Sequence, residues 1–280
     1  MARLALPKER IISLLSNREL LWSEDFTQYR ADSLDSRRWN FDIGDGSIHG
    51  LIGWGNNELE YYTDSNYSIT NSLKINAKRI DGEHALSQNL HCYYGLAEWT
   101  STRIHTSGRV GFTFGLIEIS AKMPQGIGTW PALWMLGSSI HHGTLWPECG
   151  EIDILENTGA NPTRVQGTIH GPNYFAENGI TTIIDSPQEL SADFHTYAID
   201  WREDSIEWFF DGLSYHRADR LALQERGLGW PFNKEFFLLI NLAIGGGFAG
   251  PVDPKLSIAT LEVASIKHYS IDGIGSVKIY

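Results

Sequence analysis

Cysteine is almost absent from this chain. Cys92 and Cys149 are the only two in 280 residues, too few for the disulfide framework that holds small secreted domains together. Cys149 falls in strand-like sequence two residues before Glu151, so two buried free thiols are expected rather than a bridge. Long apolar runs are missing too. No stretch reaches the ~18 residues of a membrane span, so no membrane partner is expected. The start, Met1 to Leu21, carries scattered charges (Arg3, Lys8, Glu9, Arg10, Arg18, Glu19) and lacks the apolar centre of a secretory signal. Basic residues are in deficit: 22 Lys and Arg face 34 Asp and Glu, for a net charge of −12. Nucleic acid requires clustered cations, and sulfated or other polyanionic polysaccharides would be repelled, which leaves a neutral polymer as the compatible partner. Metal-ligand spacings such as His-Glu-x-x-His and Cys-x-x-Cys are absent, so no metal cofactor is expected.

Aromatic residues and glycine are abundant. The 10 Trp, 11 Tyr and 12 Phe exceed what a core of this size needs, and exposed indole faces suit stacking on sugar rings. The 28 Gly are spread through the joints between short runs of alternating character, as many short strands need many turns. Such runs are Leu59 to Thr63, Ser72 to Ala77, Arg109 to Phe114, Gly115 to Met123 and the nearly all-apolar Phe236 to Ala243. His195 to Trp201 and Ser205 to Phe210 flank Arg202-Glu203-Asp204 as a hairpin. Residues 7–18 have Ile11, Ile12, Leu14 and Leu15 at loosely helical spacing, giving one short helix in an N-terminal extension, 1–19. The remainder, 20–280, reads as a single all-β domain, a sandwich of two sheets.

One run breaks the pattern of apolar strands. In Glu151-Ile152-Asp153-Ile154-Leu155-Glu156, alternation places Glu151 and Asp153 on one face and Ile152 and Ile154 on the other. Strict alternation would then send Glu156 into the core. A β-bulge, one extra residue, restores parity and returns Glu156 to the acidic face. Three acids in a row repel one another, and such a row is kept where acid–base chemistry is done. Two carboxylates flanking a bond suit glycosidic hydrolysis, one acting at the sugar cation and the other protonating the leaving oxygen. A calcium loop would place its acids among Asn and Gly in a turn, whereas these alternate with Ile.

With its neighbours, Gly150 to Asn157 resembles the active-site strand of glycoside hydrolase family 16, in its laminarinase-like (endo-β-1,3-glucanase) branch. Trp54-Gly55-Asn56-Asn57-Glu58-Leu59-Glu60-Tyr61-Tyr62-Thr63 is similar to an early family strand. Thr129-Trp130-Pro131-Ala132-Leu133-Trp134-Met135-Leu136 resembles the strand before the catalytic one, Gly167-Thr168-Ile169-His170-Gly171 the strand after it, and Asn241 to Gly246 a late one. The resemblance spans roughly residues 20–270 and implies a β-jelly-roll sandwich of two antiparallel sheets with a concave substrate cleft. It also implies that Glu151 is the nucleophile, Glu156 the general acid/base and Asp153 the residue that tunes the nucleophile, in a mechanism that retains anomeric configuration.

Trp130 and Trp134 lie four apart, on one strand face, and are expected as sugar platforms. The resemblance adds Trp146 at the cleaved sugar, His170 facing the acids, and Asn57 and Arg103 at substrate hydroxyls. Glu58 and Glu60 are expected on a solvated face or cleft rim, Glu148 on the rim, and His141-His142 in an exposed loop. Asn66-Tyr67-Ser68 fits the short N-glycosylation triplet. Two departures stand out. Gly245-Gly246-Gly247-Phe248-Ala249-Gly250 replaces the usual Gly-Gly-Asn-Trp-Pro-Gly, which suggests a reshaped cleft edge. Ala264 stands where many relatives have a calcium-binding Asp, so that structural calcium site is expected to be lost.

The function so implied is endo-acting hydrolysis of β-1,3-glucan, extending to mixed β-1,3/1,4-glucan. Mixed-linkage and xyloglucan branches commonly lack the extra residue that Leu155 supplies, and an acidic protein suits charged galactans poorly. The alternatives are a glucan-binding recognition protein on the same scaffold, which typically loses a catalytic glutamate, and a transglycosylase. A monomer is expected, acting on polymer outside the cell or in the periplasm.

Overall fold

The computed structural model describes residues 17–29 and 32–280. Strands joined by turns dominate, with short α-helices only at Gly82–Ser87, Arg220–Glu225 and Gly246–Ala249 among the described residues. The helix expected over 7–18 lies outside the described residues except for Asn17 and Arg18, and Arg18 already opens the first strand, Arg18–Asp25. Elsewhere the alternating runs form strands close to where they were expected, including the hairpin of His195–Trp201 and Ser205–Phe210.

Two large sheets form the expected β-jelly-roll sandwich. The ten-stranded sheet runs, in spatial order, Leu213–Asp219, Ser205–Phe210, His195–Trp201, Gly115–Lys122, Ile258–Ile271, Leu73–Arg79, Trp99–Ser101 and Glu60–Tyr62, with Arg18–Asp25 and Tyr67–Ile69 beside this path. The nine-stranded sheet runs Ile180–Asp185, Asn161–His170, Glu151–Thr158, Thr129–Gly137, Phe236–Ile244, Val110–Thr113 and Ser276–Ile279, with Arg103–His105 and Asn40–Asp42 at its side. Among the described residues, strand pairing is antiparallel apart from Glu60–Tyr62 with Trp99–Ser101.

Alternation explains the core. Ile152, Val165, Ile169, Leu133, Met135, Ile240 and Leu242 of the nine-stranded sheet meet Ile117, Ile119, Tyr197, Ile199 and Trp208 of the other in one buried cluster. The acidic strand joins this cluster through both Ile154 and Leu155, neither more than 1% exposed. Its register shows how. Asp153 pairs with Thr168 and Glu156 with Gln166, so Ile154 and Leu155 stand against Gly167 alone. That is the expected bulge: two residues oppose one, both apolar side chains enter the core, and Glu156 returns to the outer face.

The bulge is tied to the opposite sheet. The main-chain carbonyl of Asp153 accepts a hydrogen bond from Trp208 Nε1 at 2.8 Å. Gly167 permits this approach, since a Cβ there would lie 2.6 Å from both Trp208 Cδ1 and Tyr215 Oη. Trp208 thus satisfies a buried main-chain acceptor in the middle of the sandwich.

Both cysteines are buried and free. Asn66 is only 8% exposed, and its amide donates to Asn76 O and Thr100 Oγ1. A side chain so engaged is a poor glycan acceptor; Asn66 fixes the bend that leads into the strand Tyr67–Ile69. Ala264 falls at a register shift where Ser120 pairs with Ser265 and Ala121 with Val263. Among the described residues, the one cluster of three acids, His or Cys close enough to share an ion lies elsewhere, at Glu151, Asp153 and His170.

Trp208→Phe should keep the ring packing yet leave the Asp153 carbonyl without its donor. The expected loss is about 1–3 kcal/mol of unfolding free energy, read from urea melts. An unchanged midpoint would mean that the bulge does not depend on this bond.

Candidate active site

The outer face of the nine-stranded sheet carries the acids, and cross-strand register places their neighbours. Trp134 lies opposite Asp153, Ala132 opposite Glu156 and Leu136 opposite Glu151 on one side. On the other side, His170 lies opposite Glu151 and Gln166 opposite Glu156. Ala132 in turn pairs with Asn241, and Asn241 with Arg103, which pairs with Asp42. A row of polar side chains, interrupted only by the small Ala132, therefore crosses the sheet from Gln166 to Asp42.

Glu156 accepts hydrogen bonds from Trp130 Nε1 at 3.1 Å and Gln166 Nε2 at 3.4 Å. His170 Nε2 stands 3.2 Å from Asp153 Oδ2 and 3.8 Å from Glu151 Oε1. Trp146, 40% exposed, closes this end, its ring 6.1 Å from His170 and edge-on to Phe175 at 5.4 Å. At the other end the Trp130 ring meets Phe248 at 5.0 Å. Phe248 sits on the short Gly246–Ala249 helix, so the altered glycine-rich segment does shape a cleft edge.

Burial dominates the electrostatics. Glu151 and Glu156 are both pushed up from 4.5 to about 8, first by loss of water and next by the charge of Asp153. Asp153 itself rises from 3.8 to about 8 by burial, opposed by its hydrogen bond with Glu151. His170 and a hydrogen bond from Trp146 pull Glu151 down, while His170, Trp130 and Gln166 pull Glu156 down. Near neutral pH the three acids thus carry fewer than three charges, leaving a proton available for transfer in a cleft open on one side.

The other expected residues divide. Trp134 is half-buried on the acidic face, and its Nε1 donates to Asn241 Oδ1 at 2.8 Å. Arg103 is held rather than free: its guanidinium lies between Trp54 and Trp134, 4.4 and 4.9 Å from the ring centres, and its Nε is 2.8 Å from Asp42 Oδ2. Asn57 is an exposed loop residue with φ +58°, and its carbonyl accepts from Tyr93 Oη. Its loop abuts the glycine-rich turn, where Gly247 N donates to Asn56 O. Glu148, His141 and His142 are exposed.

Glu58 and Glu60 are a correction. They are 4% and 0% exposed, not rim charges. Alternation does place them on one face, but that face is covered by the loop after Phe236–Ile244: Glu58 bridges to Gly245, and Ile244 N donates to Glu60 Oε2. Gln166, Asp42, Tyr62 and Trp54 were not expected at the site. The two-residue period that places His170 on the acidic face also places Gln166 there, so Gln166 was recoverable. Asp42 and Trp54 reach the site through long-range pairing that no local pattern encodes.

Comparison with known proteins agrees with this geometry. The sequence profile described as Glycosyl hydrolases family 16 matches residues 52–247. A beta-glucanase of Rhodothermus marinus is 36% identical over 261 residues, covering 90% of this chain and 85% of that one. The laminarinase catalytic domain of Thermotoga maritima superposes with a TM-score of 0.84 at 40% identity, covering 91% of this chain and 99% of that one. The endo-beta-1,3-glucanase of Pyrococcus furiosus superposes at 0.85 with 36% identity, covering 95% and 98%. This chain belongs to glycosyl hydrolases family 16. Its three acids lie on one bulged strand, on a face lined by Trp130, Trp134 and Trp146.

The raised acids make stability depend on pH. A carboxyl that titrates near 4.5 unfolded and near 8 folded keeps its proton longer in the fold, so stability is full below the lower value and falls as pH rises to the higher. Glu151→Gln and Glu156→Gln each remove one such group. Each should be about 1–3 kcal/mol more stable than the parent at pH 8, with the gain gone at pH 4.5. Urea melts at both pH values check this; an equal gain at both would trace it to packing rather than ionisation.

Proposed function

We propose that this family 16 chain is an endo-acting, retaining hydrolase of β-1,3-glucan that also accepts mixed β-1,3/1,4-glucan. The observation that carries this reading is the bulged strand, which turns Glu151, Asp153 and Glu156 together onto an open, tryptophan-lined face. Relatives named for laminarin and β-1,3-glucan hydrolysis support the substrate class. A binding-only scaffold has no need of two half-buried glutamates that face an open cleft with raised proton affinity.

In the first step, Glu156 donates its proton to the glycosidic oxygen as the bond to the anomeric carbon breaks. The Glu151 carboxylate attacks that carbon and forms a glycosyl ester. Trp130 and Gln166 donate to Glu156 and so steady the carboxylate it becomes. Asp153, hydrogen-bonded to Glu151 and the most buried of the three, fixes the orientation of the Glu151 carboxyl toward the anomeric carbon. In the second step, Glu156 takes a proton from water, the hydroxide portion attacks the anomeric carbon, and Glu151 leaves. A sugar hydroxyl in place of that water gives transglycosylation.

Trp130, Trp134 and Trp146 supply sugar platforms, and His170 fixes the acid pair beside the cleaved unit. Asn57 and Arg103 line the far end of the cleft, with Arg103 acting through its tryptophan neighbours. The polymeric substrate places the enzyme outside the cell or in the periplasm. Among the described residues, no helix is long and apolar enough to cross a membrane. We assign no cofactor and a monomeric state, and melting should be insensitive to millimolar calcium.

Glu151→Gln and Glu156→Gln should each lower kcat on laminarin by about a thousandfold or more, with far-UV spectra unchanged. NMR of early products should show the β-anomer first. Near-parental turnover in either variant would refute the residue assignment, and an initial α-anomer would refute retention. Product separation after incubation with laminarin, lichenan, agarose and xyloglucan tests the substrate class. Cleavage confined to the last two would overturn it.

A further inference from the structure

Behind the platform formed by Trp134 lies a second pair of acids that the reaction does not use. Glu58 and Glu60 are both buried, on the loop and strand that cover the end of Phe236–Ile244. The hydrogen bonds around them fix which one carries charge. An indole N–H can only donate, so Asn241 receives Trp134 Nε1 through Oδ1, at 2.8 Å. The amide of Asn241 therefore faces Tyr62 and donates from Nδ2 to Oη at 3.1 Å. Tyr62 has its acceptor filled and passes its own hydrogen to Glu58 Oε2 at 3.3 Å.

Every link in this chain donates in one direction, and the chain must end on a group that only accepts. Glu58 also receives Asn56 Nδ2 on Oε1 at 3.0 Å. A carboxylate met by several donors is ionised. Glu60 is in the opposite position. Its Oε2 accepts from Ile244 N at 2.6 Å, while its buried Oε1 has no other partner and adjoins Glu58. An ionised Oε1 there would be an orphaned acceptor beside a second negative charge, whereas an O–H donating to Glu58 satisfies both groups.

The surroundings supply too little positive charge for two anions. The facing cation is Arg103, which Asp42 already pairs at 2.8 Å. Asp45 adds negative charge nearby, and the remaining titratable neighbours, Tyr62, Cys92, Tyr93 and Tyr94, are neutral with raised values.

We propose that Glu58 and Glu60 share one proton, with Glu60 the neutral donor, and that this pair is a positioning device that holds Trp134 in place through Tyr62 and Asn241. The pair lies beneath the cleft floor and does not touch substrate; it sets the angle of a sugar platform. Burial raises both acids, Glu60 well above the ordinary range, in keeping with this division. The positioning role rests on Trp134 being a sugar platform, as proposed above; the shared proton does not.

The experiment has a spectroscopic and a kinetic arm. Infrared spectra at neutral pH should show a protonated-carboxyl carbonyl band in the parent that is lost in Glu60→Gln and retained in Glu156→Gln. No band lost in Glu60→Gln would mean an ionised Glu60 and would overturn the shared proton. In kinetics on laminarin, Tyr62→Phe, which preserves ring volume, should raise KM about three- to tenfold with kcat held within about twofold, the worth of one hydrogen bond. Glu60→Leu should do the same, and Glu60→Gln should restore the parental KM, because an amide supplies the same donor and acceptor. An elevated KM in Glu60→Gln would overturn the proposal. Trp134→Ala separates the two readings. If it raises KM while Tyr62→Phe does not, the relay is wrong and the platform stands. If Trp134→Ala leaves KM unchanged, the platform and the positioning role fall together.

Discussion

The active face depends on one irregularity in backbone pairing. Two residues, Ile154 and Leu155, occupy the space opposite Gly167, and without that mismatch Glu156 would point into the sandwich. The bulge is held from both ends. Below, two apolar side chains instead of one enter the core. Across the sandwich, Trp208 donates to the Asp153 carbonyl through the gap that Gly167 leaves. A cluster of acids that disfavours its own ionisation is thus carried by a strand whose other face is buried in the core. Function and packing share a strand because only a rigid support can keep repelling groups at fixed positions.

The same logic explains why the surroundings of the acids donate as well as exclude water. Indole and amide donors reach Glu156 from both neighbouring strands, one from Trp130 and one from Gln166. Burial alone would leave the acid too reluctant to give up its proton, and full hydrogen bonding would ionise it before substrate arrives. Two modest donors against strong desolvation leave it between these limits, where a group that must act as acid and then as base is effective.

The strand pattern, the two-sheet class and the parity repair at Leu155 were legible because each depends on period-two alternation, a local property of the chain. The identity of the nucleophile and acid came from resemblance of several ordered motifs; alternation alone cannot rank Glu151, Asp153 and Glu156. What escaped was tertiary. Arg103 was expected at substrate hydroxyls, and its sequence neighbourhood gives no sign that Trp54 and Trp134 enclose it or that Asp42, about sixty residues earlier, pairs with it. Glu58 and Glu60 were assigned to a solvated rim because charge ordinarily marks an exposed face. Their alternation was read correctly and the side of the sheet wrongly, since the covering turn at Ile244 and Gly245 comes from nearly two hundred residues away.

The two acidic clusters show that carboxylate burial alone does not define a reactive site. Glu58 and Glu60 are more deeply buried than Glu151 and Glu156, and their proton affinities are also raised. They differ in what remains unsatisfied. Around Glu58, donors from Asn56, Tyr62 and Glu60 close the network, so a proton moved out of it would strand a buried charge. Around Glu151 and Glu156, one side faces the cleft, where an arriving glycosidic oxygen and anomeric carbon can complete the set. A saturated network resists change and serves as support, while one left open toward solvent holds its proton ready for transfer. The chain uses both kinds, and Trp134 lies between them, paired with Asp153 on one side and tied through Asn241 and Tyr62 to Glu58 on the other.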